Sequence, residues 1–240
     1  MIYVALFLSV IFAFIGLIVT NRNAKYLLSG YNTMSEGERV NVDINEFLNF
    51  FKRFHIILGV SLLAGTLLIS LINNNWASIF MTTFPLVAYS YMVVRGTSFI
   101  KASDGKRLTS YFTGGILLLI AAFIGFGQSN DFQSSELVVG KDAIEIKGSY
   151  GMTIRKQDVL GVRLVDNLPS ISYKQNGFAA GDYAKGTFKV NNGRVVQMYV
   201  NKKGPQFLLL NTTHGDIYYN SDKMDITELN RKIKLWQGIN

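Results

Sequence analysis

Four long stretches without a charged side chain dominate the first half of this 240-residue sequence. They cover residues 1–20, 56–72, 77–94 and 111–127. At a rise of about 1.5 Å per residue, each is just long enough to cross a hydrocarbon core of roughly 30 Å. A soluble protein rarely contains four helical segments that lack any charge. The sequence therefore predicts four membrane-spanning helices within residues 1–130.

Lysine and arginine residues predict the orientation of these helices. Residues 21–55 contain five of them and residues 95–110 contain four, whereas the turn at residues 73–77 has none. Cytoplasmic loops carry an excess of positive charge. We therefore expect a multi-pass protein of the cell (inner or cytoplasmic) membrane, with both charged connections in the cytoplasm. The N-terminus and residues 131–240 are then extracytoplasmic.

The net charge of +8 has a simple explanation in this arrangement. Nine of the 24 lysine and arginine residues flank the apolar stretches, where membrane topology accounts for them. Nucleic acid is therefore not an expected partner. The first basic residues follow the first apolar stretch instead of preceding it, so that stretch is predicted to be an uncleaved helix and not a signal peptide.

The charged connection at residues 21–55 is predicted to contain an amphipathic helix. Ser35 and Glu38 have the spacing of a capping box, and Asp43 can cap a second helix. One apolar face follows at helical spacing. It consists of Ile44, Phe47, Leu48 and Phe51. Two interpretations remain open: a helix lying at the bilayer surface that leads into the second span, and a docking face for another protein.

A short motif lies between the first apolar stretch and this helix. The segment YLLSGYNTMSEGE, residues 26–38, resembles the hallmark of a bacterial family of small membrane proteins, domain of unknown function 3784. The resemblance implies a membrane-embedded first half of the chain and no specific chemistry, because no activity is attached to the family. The family motif falls on Gly30, Tyr31, Asn32, Thr33, Met34 and Ser35.

The second half of the chain, residues 131–240, has the alternating pattern of β-strands. About seven antiparallel strands are predicted, with hairpin turns at residues 191–193 and 214–215. The period then changes to that of one amphipathic helix, with Asp225 as its cap. The apolar face of this helix carries Ile226, Leu229, Ile233 and Trp236.

This order of strands followed by a helix is similar to that of the pleckstrin-homology fold. Residues 150–169, 176–190 and 199–212 resemble the bacterial PH-like domains that are joined to membrane helices. The resemblance implies a mainly-β PH-like barrel, open or closed, with the final helix at one end. It also implies a binding role for this domain.

The glycine-rich stretch at residues 176–193 does not match a phosphate-binding loop. Gly181 and Gly186 have the glycine spacing of a Walker loop, but Thr187 stands where a lysine is required and a strand follows instead of a helix. These glycines are predicted to lie in hairpin turns. Basic residues nearby could form a rim for an anionic ligand or a partner, or a charged strand edge that prevents aggregation. They are Lys174, Lys185, Lys189 and Arg194.

Catalytic and metal-binding patterns are absent from the sequence. The chain has no cysteine, and its two histidines, His55 and His214, lie in different halves. His55 is predicted at the membrane interface and His214 at a hairpin tip, so neither suggests a metal site. No cofactor is expected, and enzymatic activity is not expected.

The sequence thus favours a non-enzymatic integral membrane protein. Its β-domain would bind a protein, a peptide or an envelope component in a scaffolding or sensory role, next to a protein partner or a second copy of the chain. The alternative is a small membrane carrier, channel or membrane enzyme that the β-domain regulates. This alternative predicts a polar cavity between the spans.

Overall fold

The protein consists of two compact units, Met1–Gln128 and Ser129–Asn240. In a computed structural model, the described residues are 1–28, 30–99 and 104–238. The first unit is helical and the second is mainly β. The helices of the first unit are α1 (Ile2–Ile18), α2 (Ala24–Leu27), α3 (Glu36–Arg39), α4 (Ile44–Ser70), α5 (Asn74–Gly96) and α6 (Asp104–Asp131), which continues into the second unit.

Three of these helices are long and apolar enough to cross a membrane: α4, α5 with the short 3₁₀ turn that follows it, and α6. The first helix, α1, is apolar but has only 17 residues. The structure therefore supports three of the four predicted spans by length and composition. The apolar helices are compatible with a multi-pass membrane protein.

Helix starts follow the predicted capping residues. The Ser35 side chain accepts a hydrogen bond from the Glu38 amide, and the Glu38 carboxylate accepts one from the Ser35 amide at 3.0 Å. This confirms the predicted capping box. The Asp43 carboxylate accepts a hydrogen bond from the Glu46 amide at 3.1 Å. From there, α4 runs for 27 residues without a break, so no separate surface helix precedes the second predicted span.

Close helix packing in the first unit depends on small residues. A Cβ atom at Gly59 would lie 2.6 Å from the Ser9 carbonyl oxygen, and one at Gly16 would lie 2.8 Å from the Cβ of His55. These contacts place α1 antiparallel to α4, with the two backbones close together. Helices α5 and α6 also contact each other: the Ser90 hydroxyl of α5 donates a hydrogen bond to the Gly114 carbonyl of α6 at 2.9 Å.

The second unit has nine strands in its described part and one helix. Strands β1, β2 and β3 form one antiparallel sheet, and the other six form a second sheet in the order β4-β8-β9-β7-β6-β5. Their bounds are β1 Glu136–Val139, β2 Ala143–Lys147, β3 Met152–Arg155, β4 Val159–Val165, β5 Ile171–Ala180, β6 Tyr183–Val190, β7 Val195–Asn201, β8 Phe207–Thr212 and β9 Gly215–Tyr219. Helix α7 spans Ile226–Gln237.

This arrangement corrects the prediction of about seven antiparallel strands in a barrel. A 3₁₀ turn at Lys156–Asp158 divides one predicted strand region into β3 and β4. Strand β9 inserts between β8 and β7 and pairs with β7 in parallel. The described strands form two sheets and no closed barrel. The predicted hairpins β6–β7 and β8–β9 are confirmed.

The larger sheet is buried on both faces near its centre. One face of β8 contributes Leu208 and Leu210 to a core that also contains the smaller sheet and the α7 residues Leu229 and Ile233. The opposite face contributes residues such as Leu209 to a second cluster. Burial on both faces explains why β8 is a continuous apolar run rather than an alternating one. Asp225 caps α7 as predicted.

Candidate functional site

The four basic residues of the predicted rim do not form one surface. Lys174 is exposed on β5 and lies opposite Phe188 in the register. Lys185 is buried in β6, with only 3% of its surface exposed. Lys189 lies over the ring of Tyr173, its Nζ 5.8 Å from the ring centroid. Lys189 and Arg194 lie near the hairpin end of β6 and β7, and Lys174 follows the β5 residue that pairs with Lys189.

Lys185 is the residue least suited to an anion from solvent. In the register it faces the same side of the sheet as Phe178 and Tyr199. Burial lowers the pKa of its amine, and the charge of the nearby Asp131 opposes this change only in part. One carboxylate oxygen of Asp131 is itself buried without a hydrogen-bond partner among the described residues. Lys185 therefore belongs to the interior of the unit.

Arg194 is also engaged within the protein. Its Nη1 lies 3.1 Å from an Asp216 carboxylate oxygen, which it reaches across the end of the sheet. The Arg194 side chain is 60% exposed and the Asp216 side chain 16% exposed, so solvent partly screens the pair and it stabilises the fold only weakly. Among the predicted rim residues, Lys174 and Lys189 remain accessible to a partner.

Strand β5 offers the most open surface of the β-unit. It is the terminal strand of the larger sheet, it is ten residues long, and its first six residues are exposed. The exposed apolar side chains are Ile171, with 39% of its surface exposed, and Tyr173, with 50%. At the other end of the sheet, α7 packs against β4, and the Gln237 amide donates a hydrogen bond to the Val159 carbonyl. The two edges of the sheet are therefore unlike.

Two facing glycines explain the glycine-rich stretch around this strand. Gly177 of β5 and Gly186 of β6 are paired in the register, and both have positive φ, at 138° and 106°. A Cβ atom at Gly186 would lie 2.5 Å from the Asn176 carbonyl oxygen. Only glycine permits this close approach of the two backbones without strain. Here the glycines shape a strand pair.

The motif at residues 30–35 forms a folded turn that Arg39 closes. The Arg39 guanidinium donates hydrogen bonds to the carbonyl oxygens of Tyr31 and Asn32, both at 3.2 Å, and lies 5.5 Å from the centroid of the Tyr31 ring. Gly30 has a φ of 86°, and the Thr33 hydroxyl donates to its carbonyl. These contacts explain the residue types at Gly30, Tyr31 and Thr33.

The apolar face of the charged connection packs inside the first unit. Ile44, Phe47, Leu48 and Phe51 form a cluster with Tyr31, Ala24 and Leu28, together with residues of α1 and α5. This face is therefore largely covered within the unit rather than open to another protein, and its place relative to a bilayer stays a prediction. The first turns of α4 instead hold the motif against the helices. Met34 and Tyr31 also line a small apolar cavity of about 140 Å³.

His55 is buried inside the helical unit, and its place at the membrane interface stays a prediction. Its Nδ1 is 2.8 Å from the Phe51 carbonyl oxygen, and its Nε2 is 3.0 Å from the Tyr89 hydroxyl. Because a carbonyl can only accept, Nδ1 carries the proton, and in the neutral ring Nε2 accepts from Tyr89. In the sequence, His55 is a lone histidine twelve residues after the cap Asp43, and this spacing alone does not predict its contact with Tyr89.

A polar cluster around Asp222 connects four parts of the β-unit. The Asp222 carboxylate accepts hydrogen bonds from the Tyr183 hydroxyl at 2.6 Å, from Ser134 at 2.9 Å and from the Asn201 amide at 3.0 Å. Burial acts to raise the pKa of Asp222, but these three bonds outweigh it and the pKa lies below its usual value. Burial, followed by the contact with Asp222, raises the pKa of Tyr183 to about 12.

This cluster has the features of a structural site. Each of its donors is a neutral side chain, and the cluster joins the segment before β1 to β6, β7 and the β9–α7 connection. Within residues 1–28, 30–99 and 104–238, no three histidine or acidic side chains are grouped as metal ligands would be. His214 lies exposed in the β8–β9 turn, 3.9 Å from Asp158.

Comparison with known proteins identifies one matching region. Residues 6–99 match the family model described as Domain of unknown function (DUF3784). The match covers most of α1, all of α2 to α5 and the motif at residues 30–35, whereas the β-unit lies outside it. The similarity to this uncharacterised family in the N-terminal region is thus supported. No curated protein matches the chain, and no solved structure does.

Proposed function

We propose that this chain is an integral membrane protein whose β-unit docks an extended segment of another protein along strand β5. The observation that carries the proposal is the exposed, ten-residue terminal strand of the larger sheet. An uncovered strand offers unpaired backbone amide and carbonyl groups, and an extended peptide can add to it as a further strand. The PH-like character inferred from the sequence is part of this proposal.

The side chains around β5 favour a particular partner chemistry. Ile171 and Tyr173 provide apolar contacts, and Lys174 and Lys189 provide positive charge without an ion pair among the described residues. A segment in which apolar and acidic side chains occur close together would complement them. Two β-bulges interrupt the pairing of β5 with β6 near Ile171 and Lys174. Such bulges limit indiscriminate pairing with other strands, so they favour a specific partner.

The membrane arrangement that we propose has four spans. Helix α1 is short, but it packs antiparallel along the part of α4 that includes Lys52, His55 and Gly59, so it would occupy the same depth of the bilayer. The sidedness of the β-unit depends on α4, α5 and α6 only, because the charged connections flank these helices. An extracytoplasmic β-unit would therefore meet envelope components rather than cytosolic ones.

Site-specific photocrosslinking in intact cells tests the docking proposal. A photoreactive phenylalanine analogue would replace Tyr173 in the full chain, and the control would carry it at Tyr150. Tyr150 has a similar exposed fraction, 44%, but lies in the turn between β2 and β3 of the smaller sheet, which does not contain β5. We expect discrete crosslinked products from position 173 alone. Crosslinks of equal yield from both positions, or none from position 173, would contradict docking at β5.

The alternative function as a membrane carrier, channel or enzyme is favoured by one observation, the buried His55–Tyr89 pair. Ionisable groups inside a membrane helix bundle often belong to proton pathways. Proton flux into proteoliposomes that disappears in His55→Phe would support this alternative. Liposomes that remain as proton-tight as empty ones would leave the pair with a structural role only.

A further inference from the structure

A groove between α4 and α5 opens on the outside of the helical unit. Its volume is about 470 Å³. The walls are mostly apolar, with Phe54 and Ile57 on α4 and Phe84 and Val87 on α5, and Tyr91 lies toward one end. Ile57 has 63% of its surface exposed and Tyr91 has 58%. In a membrane, these side chains would face lipid rather than another part of this unit.

The neighbouring helices pack on other faces and leave the groove uncovered. Helix α1 contacts α4 through the side that carries His55 and Gly59. Helix α6 contacts α5 through Ser90, and a Cβ atom at Gly125 of α6 would touch Thr83. Residues 54, 57, 84 and 87 lie outside both contacts. The groove therefore belongs to the α4–α5 pair and is not filled by the neighbouring helices.

One cation lies within the lining of this otherwise apolar groove. Arg53 is exposed and makes no hydrogen bond, ion pair or ring contact with any other described residue. It lies one turn before Ile57 on α4, at the same end of the groove as Tyr91. Lys52 precedes it, and Arg95 follows Tyr91 by one turn of α5. All three lie at the end of the helices that joins the charged connections. No acidic residue lines the groove.

We propose that this groove binds an anionic glycerophospholipid, with an acyl chain against the apolar walls and the phosphate at Arg53. A guanidinium can bind two phosphate oxygens at once, and basic residues at helix ends recognise anionic headgroups. Tyr91 and Arg53 lie at the same end of the groove, and tyrosine and arginine are residue types that anchor helices at the membrane interface. The groove length supports the proposal, since Phe50 to Leu58 covers about 12 Å of helix axis, which accommodates part of one chain.

Lipid binding to the purified full chain in neutral detergent tests this site. Phosphatidylglycerol and phosphatidylcholine with the same fluorescent acyl chain would be titrated separately, with fluorescence anisotropy as the readout. We expect phosphatidylglycerol to bind roughly fivefold more tightly than phosphatidylcholine, which is the gain in affinity that one basic residue near the headgroup provides. Arg53→Gln should abolish this preference, and Arg22→Gln, which removes an exposed charge near the same boundary, should retain it.

A second pair of variants tests the groove itself. Ile57→Trp would fill it, whereas Val60→Trp adds the same side chain at a position of α4 with the same exposed fraction, 63%, outside the groove. We expect weaker binding of both lipids in Ile57→Trp alone. Excess inorganic phosphate should not displace the lipid, because it cannot occupy the apolar walls.

Three results would overturn the proposal: equal affinity of the wild-type chain for the two lipids, equal losses in Arg53→Gln and Arg22→Gln, or equal losses in the two tryptophan variants. The site depends on the membrane embedding proposed above. Failure of that premise would be recognised separately, because the chain would then remain monodisperse without detergent.

Discussion

Replacing Tyr183 by phenylalanine should weaken the β-unit measurably, although the change removes a single oxygen atom. Of the three side-chain hydrogen bonds to the Asp222 carboxylate described above, the one from the Tyr183 hydroxyl is the shortest, at 2.6 Å. Tyr218 supplies a matched control, because it has the same exposed fraction, 7%, and its hydroxyl makes no hydrogen bond with a described residue. Tyr218→Phe removes the same atom from an equally buried ring. The difference between the two variants therefore isolates the bond to Asp222.

The size of this difference follows from the charge and exposure of the acceptor. Hydrogen bonds to charged groups contribute about 1.5–3 kcal/mol to stability. Asp222 lies near the surface, where solvent screening reduces such contributions, so we expect Tyr183→Phe to lose about 1–2 kcal/mol of unfolding free energy. Tyr218→Phe should change it by less than about 0.5 kcal/mol.

The same bond predicts a pH dependence at the alkaline end. Folding raises the pKa of Tyr183 to about 12, whereas an unfolded tyrosine titrates near pH 10. The contribution of the neutral phenol is therefore complete below pH 10 and is lost as pH rises through 12. Tyr183→Phe should consequently lose less of its remaining stability between pH 10 and 12 than the wild type does.

Urea unfolding of the full chain in detergent provides the measurement. The chain has two tryptophans, and a Trp76→Phe background leaves only Trp236 of α7, whose indole donates a hydrogen bond to the Lys141 carbonyl. Its fluorescence therefore reports unfolding of the β-unit. Equal shifts of the unfolding midpoint in Tyr183→Phe and Tyr218→Phe would refute the assigned role of Asp222.

Three further predictions concern a glycine pair, the motif turn and the buried lysine. Gly186→Ala should lose more than about 2 kcal/mol of unfolding free energy, because the new Cβ would clash with the facing strand and the backbone has positive φ. Gly161 has open space around it, so Gly161→Ala should lose less than about 1 kcal/mol. Equal losses of the two variants in the urea assay would contradict this. Arg39→Ala should accelerate amide hydrogen exchange of residues 31–39 by releasing two carbonyls, and unchanged exchange would count against the turn. Folding lowers the pKa of Lys185, so at pH values below the folded-state pKa the buried charge lowers the stability of the protein. This loss becomes smaller as the pH rises from the folded-state pKa toward the pKa of lysine in the unfolded chain. Lys185→Met should therefore be at least as stable at pH 7 and should lack this rise, and a loss of stability at every pH would argue against it.

Local features of the structure could be predicted because neighbouring residues determine them. The Ser35–Glu38 capping box, the Asp43 and Asp225 caps and the two hairpins depend on side chains within a few residues. The apolar stretches likewise predict helices long enough to span a membrane, since length and composition suffice. These predictions are confirmed for three helices, and α1 as a fourth span stays a prediction.

Features that depend on distant contacts could not be predicted. The sequence does not show which face of a strand is buried, so it does not predict the burial of Lys185. That burial follows only from the position of β6 inside the sheet. The insertion of β9 beside β7 requires a register that periodicity does not encode. The sequence places His55 at the start of an apolar stretch, but its contact with Tyr89 depends on how α4 packs against α5 and follows from no local pattern.

Cysteine labelling of the full chain in ruptured membrane vesicles tests most directly whether the helical unit is embedded in a bilayer. The chain has no cysteine of its own, so Leu119→Cys and Leu160→Cys each introduce a single thiol. Leu119 of α6 has 72% of its surface exposed and Leu160 of β4 has 64%. If lipid covers α6, a charged maleimide should label position 160 rapidly and position 119 only after the membrane is dissolved. Equal labelling of both positions in intact bilayers would contradict membrane embedding.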